Sequence, residues 1–454
     1  MGKINTENAL GTESVGRLLI RLSVPAVTAQ LINMLYNVVD RMFIGHIPEV
    51  GATALTGVGV TFPIIMIISA FASLIGMGGA PLAAIRMGES RDDKAEVILG
   101  NCTTALFGFA VILTLVFYIY AEPLLLLFGA SPATLGYGAS YLKIYVLGTP
   151  FVMASLGLNS FISTQGFAKE SMITVVIGAV INIILDPVFI YLFDMGVSGA
   201  ALATIISQAV SAVWVVRFLV GDKTKLRVKK QNLRVNWSII GSVLLLGSAP
   251  FIMQSTESLV SITLNTSLQK YGGDLAVGAV TIMSSLLQFI MLPLNGITQG
   301  AQPIISYNFG ARQFDRVKQT FKLLLAACLT FSTACWLLMM LIPGMFARIF
   351  TTNPALTAQT VWSMRIFMAA VFMLGAQVAC QQSFIALGEA RIALCMALLR
   401  KIVLLIPLVY ILPNFFADKV FAVRLAEPIA DAIASSVTTV SFALSIKKIM
   451  ARAA

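Results

Sequence analysis

Asp40, in NVVDRMFIGH, and Asp186, in NIILDPVFI, stand inside apolar runs long enough to bury them. An ionisable side chain in hydrocarbon costs about 2.5–3.5 kcal/mol on insertion scales, so each is by default a candidate for chemistry. Gln30, Asn33, Tyr36, Asn37 and Asp40 recur at three- and four-residue steps, which on a helix places them along one face. Asn182 and Asp186 also share a face, and Pro187 leaves the carbonyl of Ile183 without its usual N–H partner. Asn and Gln alone would serve as interhelical glue. Two carboxyl groups facing one low-dielectric cavity cannot both stay charged, so they must hold a proton or a cation. Neighbouring segments offer neutral oxygens at helical spacing: Ser155, Asn159 and Ser163, then Thr204, Gln208 and Ser211. Such a set suits Na⁺ and a proton relay equally well.

The second half is polar in a different way. Gln254, Glu257, Ser258 and Ser261 share one face; Gln288, Asn295 and Gln299 another; Gln377 and Gln381 a third; Glu427, Asp431 and Thr438 a fourth. Arg400 and Lys401 lie in an apolar run within reach of those acids. One reading is a buried ion pair, Arg400–Asp431 or Arg400–Glu257. The other is a ligand-binding wall of Gln254, Glu257, Gln288, Gln377, Gln381 and Asp431, joined from the first half by Gln30, Asn33 and Asn37. Met34, Met42, Met66, Met283, Met291 and Met373 could give such a wall adaptable apolar surface.

The elements carrying these residues are spans of a membrane. The chain has 454 residues, 58% hydrophobic and 11% charged, with a mean hydropathy of +0.90. A soluble fold carries about 25% charged residues, so lipid must stand in for water around this one. Apolar segments of helical length without two-residue alternation exclude a barrel. Twelve spans are expected, near 18–44, 54–79, 97–121, 138–163, 170–193, 197–220, 238–262, 275–300, 318–341, 358–386, 392–412 and 421–446. With both termini cytoplasmic, the tails and inside connections hold about 22 of the 31 Lys and Arg, the positive-inside bias. The net charge of +11 therefore reflects topology, and no nucleic-acid partner is expected. The first sixteen residues lack an apolar core, so no cleaved signal is expected either. Five cysteines fall singly in apolar spans, as small buried hydrophobes.

A polar, basic stretch, GDKTKLRVKKQNLRVNW at 221–237, separates six spans from six. It divides the chain into a first lobe at 1–220, a cytoplasmic linker at 221–237 and a second lobe at 238–454. Gly78, Pro81, Gly88 and Asp93-Lys94 reappear 222 residues later as Gly300, Pro303, Gly310 and Asp315-Arg316, and Gly166 as Gly388. Six spans is an even number, so the repeat is parallel and the two lobes should enclose a central cavity.

Enzyme signatures are missing. No GxxxxGK[ST] motif occurs, the one histidine, His46, excludes HExxH, and Asp92-Asp93 has no second acidic motif beside it. A membrane-embedded enzyme is the weaker reading for that reason. Transport should draw on an ion gradient.

The fifth-span NIILDPVFI, the first-span NVVDRMFIGH and the Gly-to-Gly connection in each half make the chain resemble the MATE family of multidrug and toxic compound extrusion transporters. The likeness runs over essentially the whole length, and it is strongest to the bacterial branch that includes DinF-type and MepA-type exporters. The resemblance implies an all-α integral membrane protein of twelve helices in two pseudo-symmetric six-helix bundles around a V-shaped cleft. It also implies a first-lobe cation site of Tyr36, Asp40, Asn159, Asn182, Asp186 and Thr204, with the first helix bending at Pro25. Another branch of the family places its cation site in the second lobe; here only Glu257 has a counterpart there. The function expected is antiport of H⁺ or Na⁺, Na⁺ being held at Asp40 and Asp186, against amphipathic, cationic small molecules across a bacterial cytoplasmic membrane. No cofactor and a monomer in the lipid bilayer are expected. A lipid or oligosaccharide flippase of the broader superfamily is the alternative; it would favour a cationic cavity and extra spans, neither of which is seen in this sequence.

Overall fold

The computed structural model describes residues 6–351 and 353–453, without the side chains of 6–8, Asp274, Ala453 and Ser258, whose expected place on the seventh span therefore lies outside it. Ten helices are long and apolar enough to cross a membrane, and two bent pairs bring the total to twelve if each pair crosses once. They are α1 (Val15–Gly45), α2 (Gly51–Gly88), α3 (Asp92–Ile119), α4 (Pro132–Leu147 with Thr149–Thr164), α5 (Ala168–Leu192) and α6 (Gly196–Val220). The second set is α7 (Trp237–Gly273), α8 (Leu275–Gly310), α9 (Phe314–Leu341), α10 (Pro354–Phe367 with Val371–Ala386), α11 (Ala390–Asn414) and α12 (Lys419–Arg452). Helices apolar on nearly all sides are the form a chain takes when every backbone group must be satisfied without water.

Local chemistry sets the breaks. Ser131 and Thr134 cap the start of α4 reciprocally, with Pro132 at its first position. Asn353 accepts from the N–H groups of Ala355 and Leu356 to begin α10. Gly273, at φ +64°, makes the turn between α7 and α8, a conformation that a side chain disfavours. The bends fall at matching places in the two halves: α4 turns by 59° at Gly148 and α10 by 51° after Phe367.

Two hydrophobic cores form. One gathers α2 to α6 around Ile64, Leu99, Leu106 and Phe161. The other gathers α7 to α12 around Met283, Leu286, Phe384 and Val423, and takes in Leu10, Leu18 and Leu22 from the start of the chain. The first helix thus begins in the second core and ends against the first half. It forms one helix with Pro25 inside it. Of the cysteines, Cys102, Cys328 and Cys380 are buried as expected, Cys335 is half-buried, and Cys395 is exposed.

The halves meet through glycine. A Cβ on Gly88 would collide with the carbonyl of Tyr307, and one on Gly310 with the carbonyl of Ile85. Gly78 lies against Val243 and Gly247 of α7, while its repeat partner Gly300 lies against Ser23 of α1. The repeated glycines are therefore the places where the two backbones touch. Contacts between the halves include Asn308 with the Leu10 carbonyl at 2.9 Å, Ser23 with the Ile297 carbonyl at 3.2 Å, Gln30 with Gln299 at 3.3 Å and Phe71 with Phe251 at 5.0 Å. Beyond them Leu35, Met42, Leu259 and Ile262 are each more than half exposed. The halves are joined at the face bearing the termini and part towards the opposite one. Gly88→Ala should break this seam by overpacking, at about 1–3 kcal/mol, and amide exchange across 74–88 and 296–310 should rise in step.

The basic connection is held to the first half. Gln165 Oε1 accepts from Thr224 Oγ1 and from the N–H groups of Lys225 and Leu226, at 2.7, 3.1 and 3.0 Å. Glu96 takes the Arg227 N–H at 3.3 Å and Lys229 Nζ at 2.5 Å.

Candidate functional site

The stripe on α1 is about 120° wide on a helical projection, and its two edges face different neighbours. Tyr36 and Asp40 turn into the first half. There the Asp40 and Asp186 carboxyl groups come within hydrogen-bonding reach of each other. Asp186 and Asn182 are 0% exposed. Asn182 Nδ2 donates to Asp186 Oδ1 at 3.0 Å and reaches Thr204 Oγ1 on α6 at 3.4 Å. An ionised carboxylate cannot donate, so Asp40 Oδ1, Asp186 Oδ2 and Asn182 Oδ1 are buried with no donor among the described residues. These three oxygens and the Thr204 hydroxyl, which accepts from Asn182 and donates to the Ala200 carbonyl at 3.0 Å, are hard acceptors on α1, α5 and α6. Such a set can be completed by one proton or one small monovalent cation.

The other edge of the stripe faces the space between the halves. Asn33 and Asn37 are exposed, with Asn37 Nδ2 donating to the Asn33 carbonyl at 2.6 Å, and Gln30 reaches across to Gln299.

Asn159 does not join the carboxylates. Its Nδ2 donates to the Ser171 carbonyl at 3.2 Å and its Oδ1 accepts from Thr174 Oγ1 at 3.1 Å, two or more turns along α5 from Asp186. The other neutral donors also pair locally: Ser155 with Gln208 at 2.6 Å, Ser163 with Ser171 at 2.7 Å, and Ser211 with the Thr174 carbonyl at 3.1 Å. Helical spacing identified the right faces but not the nearest partners.

Two residues that sequence reading passed over complete the site. Tyr141 and Tyr145 on α4 stack at 6.0 Å. Tyr141 reaches Thr204 and lies in the field of Asp40 and Tyr36, and Tyr145 lies in that of Tyr36. Their i, i+4 spacing with Gly138 was the available signal, but tyrosine in a span reads first as an interfacial anchor.

In the second half one of the two ion pairs expected for Arg400 forms. Arg400 Nε donates to Asp431 Oδ1 at 2.6 Å and its Nη2 to Glu427 Oε1 at 3.2 Å. The Arg400–Asp431 pair is therefore formed, and Asp431, with its carboxylate engaged and 1% exposed, is closed to a ligand. Glu257 pairs instead with Lys401, whose Nζ also donates to the Met253 carbonyl at 3.0 Å. Adjacent basic residues on a helix point about 100° apart, and these two lie in a π-type stretch over Leu399–Leu405. Gln381 donates to Met253 Sδ, and Gln377 accepts from Ser435; both are buried. Gln254 is half-buried with an orphaned Oε1, and Gln288 is exposed away from this cluster on α8. A small cavity of about 10 Å³, room for about one water, lies beside the charges, walled by Met253, Met291 and Met396. Of the six methionines expected in a ligand wall, only Met291 lines it.

The MatE family model matches residues 25–188 and 250–411, most of the chain in two blocks. The multidrug export protein MepA of Staphylococcus saprophyticus is 26% identical over 92% of each chain, and that of Staphylococcus haemolyticus 25% identical over 89% of this chain and 88% of its own. Among solved structures, MATE in the bent conformation superposes with a TM-score of 0.92 at 20% identity, covering 99% of both chains. An outward-facing multidrug resistance MATE transporter does so at 0.88 and 21%, over 97% of this chain and 98% of that one. The two matched blocks coincide with the two sets of helices that meet along the glycine seam, and on that basis this polytopic membrane protein belongs to the MatE family.

Proposed function

We propose that the protein is a secondary active exporter that exchanges H⁺ or Na⁺ for amphipathic, cationic small molecules across a bacterial cytoplasmic membrane, with both termini in the cytoplasm. The observation that carries the reading is the meeting of Asp40 with Asp186, each with an orphaned oxygen, on helices bordering an open cleft. The relatives named as multidrug export proteins support the cargo class.

In this reading a cation arriving through the cleft completes the set formed by Asp40, Asp186, Asn182 and Thr204. Tyr36 and Tyr141 screen that set from lipid. The polar bonds from Thr174 through Asn159 to Ser171 and Ser163 continue along α5 towards the terminal face, so Asn159 serves as a relay rather than a ligand. The first helix is the coupling element because it packs into both cores. Drawing Asp40 towards Asp186 moves the stripe whose other edge, Gln30, Asn33 and Asn37, faces the cargo space, and Pro25 is where α1 lacks a hydrogen bond to resist bending. Exchange follows only if the ion binds one conformation better than the other.

Dye efflux from proteoliposomes under separate H⁺ and Na⁺ gradients tests this. One gradient alone should drive efflux against the dye's own gradient; efflux indifferent to both would end the reading.

A further inference from the structure

The connection at 221–237 carries six basic residues and one acid, Asp222. It is a folded strap rather than a free loop. Thr224 and Leu226 are buried, Leu226 joins the first core, and Val228 packs against that core. The far end is tied down as well: Thr104 Oγ1 donates to the Leu233 carbonyl at 2.8 Å, and the Asn236 N–H to Asn101 Oδ1 at 2.6 Å. Three of the cations are matched by acids, Lys225 by Asp92, Arg227 by Asp222 and Lys229 by Glu96. Lys223, Lys230 and Arg234 are exposed and have no ion pair among the described residues. Beside them α7 begins at Trp237, which is 78% exposed, with Val235 exposed before it. Trp237, Gly241 and Leu245 recur at four-residue steps and are all exposed. The other face of that helix, with Ile240, Val243 and Gly247, is buried, and Gly78 of α2 lies against it. At this end the halves are closed together, so the exposed stripe looks into lipid.

We infer that the strap and the start of α7 form a docking surface for anionic phospholipid. Lys223, Lys230 and Arg234 take the phosphate and charged headgroup, while Val235 and Trp237 lie against the glycerol and first acyl carbons. Tryptophan at the end of a span settles at headgroup depth. Arg234, three residues away along the chain, is held within about 11 Å of it. An anionic leaflet attracts cations at that depth and loses its hold on them beyond a Debye length. A zwitterionic headgroup carries its own ammonium and so gains less from the three unmatched side chains. Free phosphate has no acyl chain to lay on Trp237, and a nucleic acid has no access to a tryptophan facing lipid. The surface goes beyond the export reading, and its test needs no transport.

Quenching of tryptophan fluorescence by acyl-brominated lipid tests it, on the full chain in nanodiscs that mix phosphatidylglycerol with phosphatidylcholine and carry bromine on one or the other. The Trp237 signal is that of the wild type less that of Trp237→Phe, which keeps the other three tryptophans. At low salt phosphatidylglycerol should be preferred at Trp237 by about fivefold, the worth of one cation at an anionic surface. Lys223→Gln, Lys230→Gln and Arg234→Gln together should abolish the preference, as should about 1 M salt. Lys270→Gln, Arg348→Gln and Lys419→Gln, at three exposed cations of the opposite face, remove as much charge and should leave it unchanged. No preference in the wild type, a preference that survives the strap substitutions, or one lost equally with the opposite-face set overturns the inference. Displacement by inorganic phosphate or polyuridylate at constant ionic strength also overturns it, since the surface would then serve a soluble anion. Should the strap variant not fold, the wild type alone decides: a preference indifferent to salt overturns the docking surface, and one lost in salt supports it.

Discussion

Asp40→Asn is expected to reduce gradient-driven dye efflux in proteoliposomes to the level of empty vesicles while leaving the folded protein intact. The amide has the size of the carboxyl group and supplies the donor that Asp186 Oδ2 lacks, so the helix contact should survive or strengthen. What it removes is the second exchangeable charge. With Asn at 40 the pair no longer changes state when a proton or Na⁺ arrives, and an ion that does not bind differently in the two conformations couples nothing. Asp186→Asn should have the same effect, and the double variant should be no worse than either single one, since the two groups act as a unit. Downhill dye exchange, measured without an ion gradient, should persist in all three. Wild-type efflux by Asp40→Asn under an imposed gradient would remove this site from the mechanism.

The largest effect on stability should come from Arg400. Arg400→Met leaves Asp431 and Glu427, 2% and 6% exposed at their side chains, without a counter-charge. Breaking a buried pair on one side costs about 3–5 kcal/mol, which is a large part of the stability of an ordinary domain. Thermal unfolding in detergent should show it directly. Combining Arg400→Met with Asp431→Leu and Glu427→Gln should recover most of the loss, since an apolar cluster of similar volume can match a buried ionic one. A single variant with unchanged unfolding would mean that the acids are already neutral without the guanidinium.

Much of the architecture was legible because membrane insertion leaves strong marks in sequence. Ten of the twelve expected spans fall within helices or bent pairs, and 97–121 and 170–193 overrun theirs by two residues and one. The two bends were not legible: Gly148 and the Met368–Ala370 turn interrupt apolar runs without changing their hydropathy. The carboxylates at 40 and 186 stood out because charge in hydrocarbon is costly, and that cost is why they meet. Neutral donors carry no comparable penalty, so Asn159 takes the nearest partners on α5 and leaves the site. The π-type stretch over Leu399–Leu405 leaves no mark in residue spacing.

The repeated glycines have a mechanical consequence. Where Gly78, Gly88, Gly300 and Gly310 bring main chain against main chain, the hydrogen bonds nearby are few, among them the 3.2 Å contact of Ser23 Oγ with the Ile297 carbonyl and the 2.9 Å bond of Asn308 Nδ2 to the Leu10 carbonyl. Between those bonds dispersion is what resists separation, and it is shed in small increments with each fraction of an ångström. A joint of that kind opens like a hinge on smooth plates held by a few polar pins. Such a surface suits a machine that must rock through the same swing at every turnover.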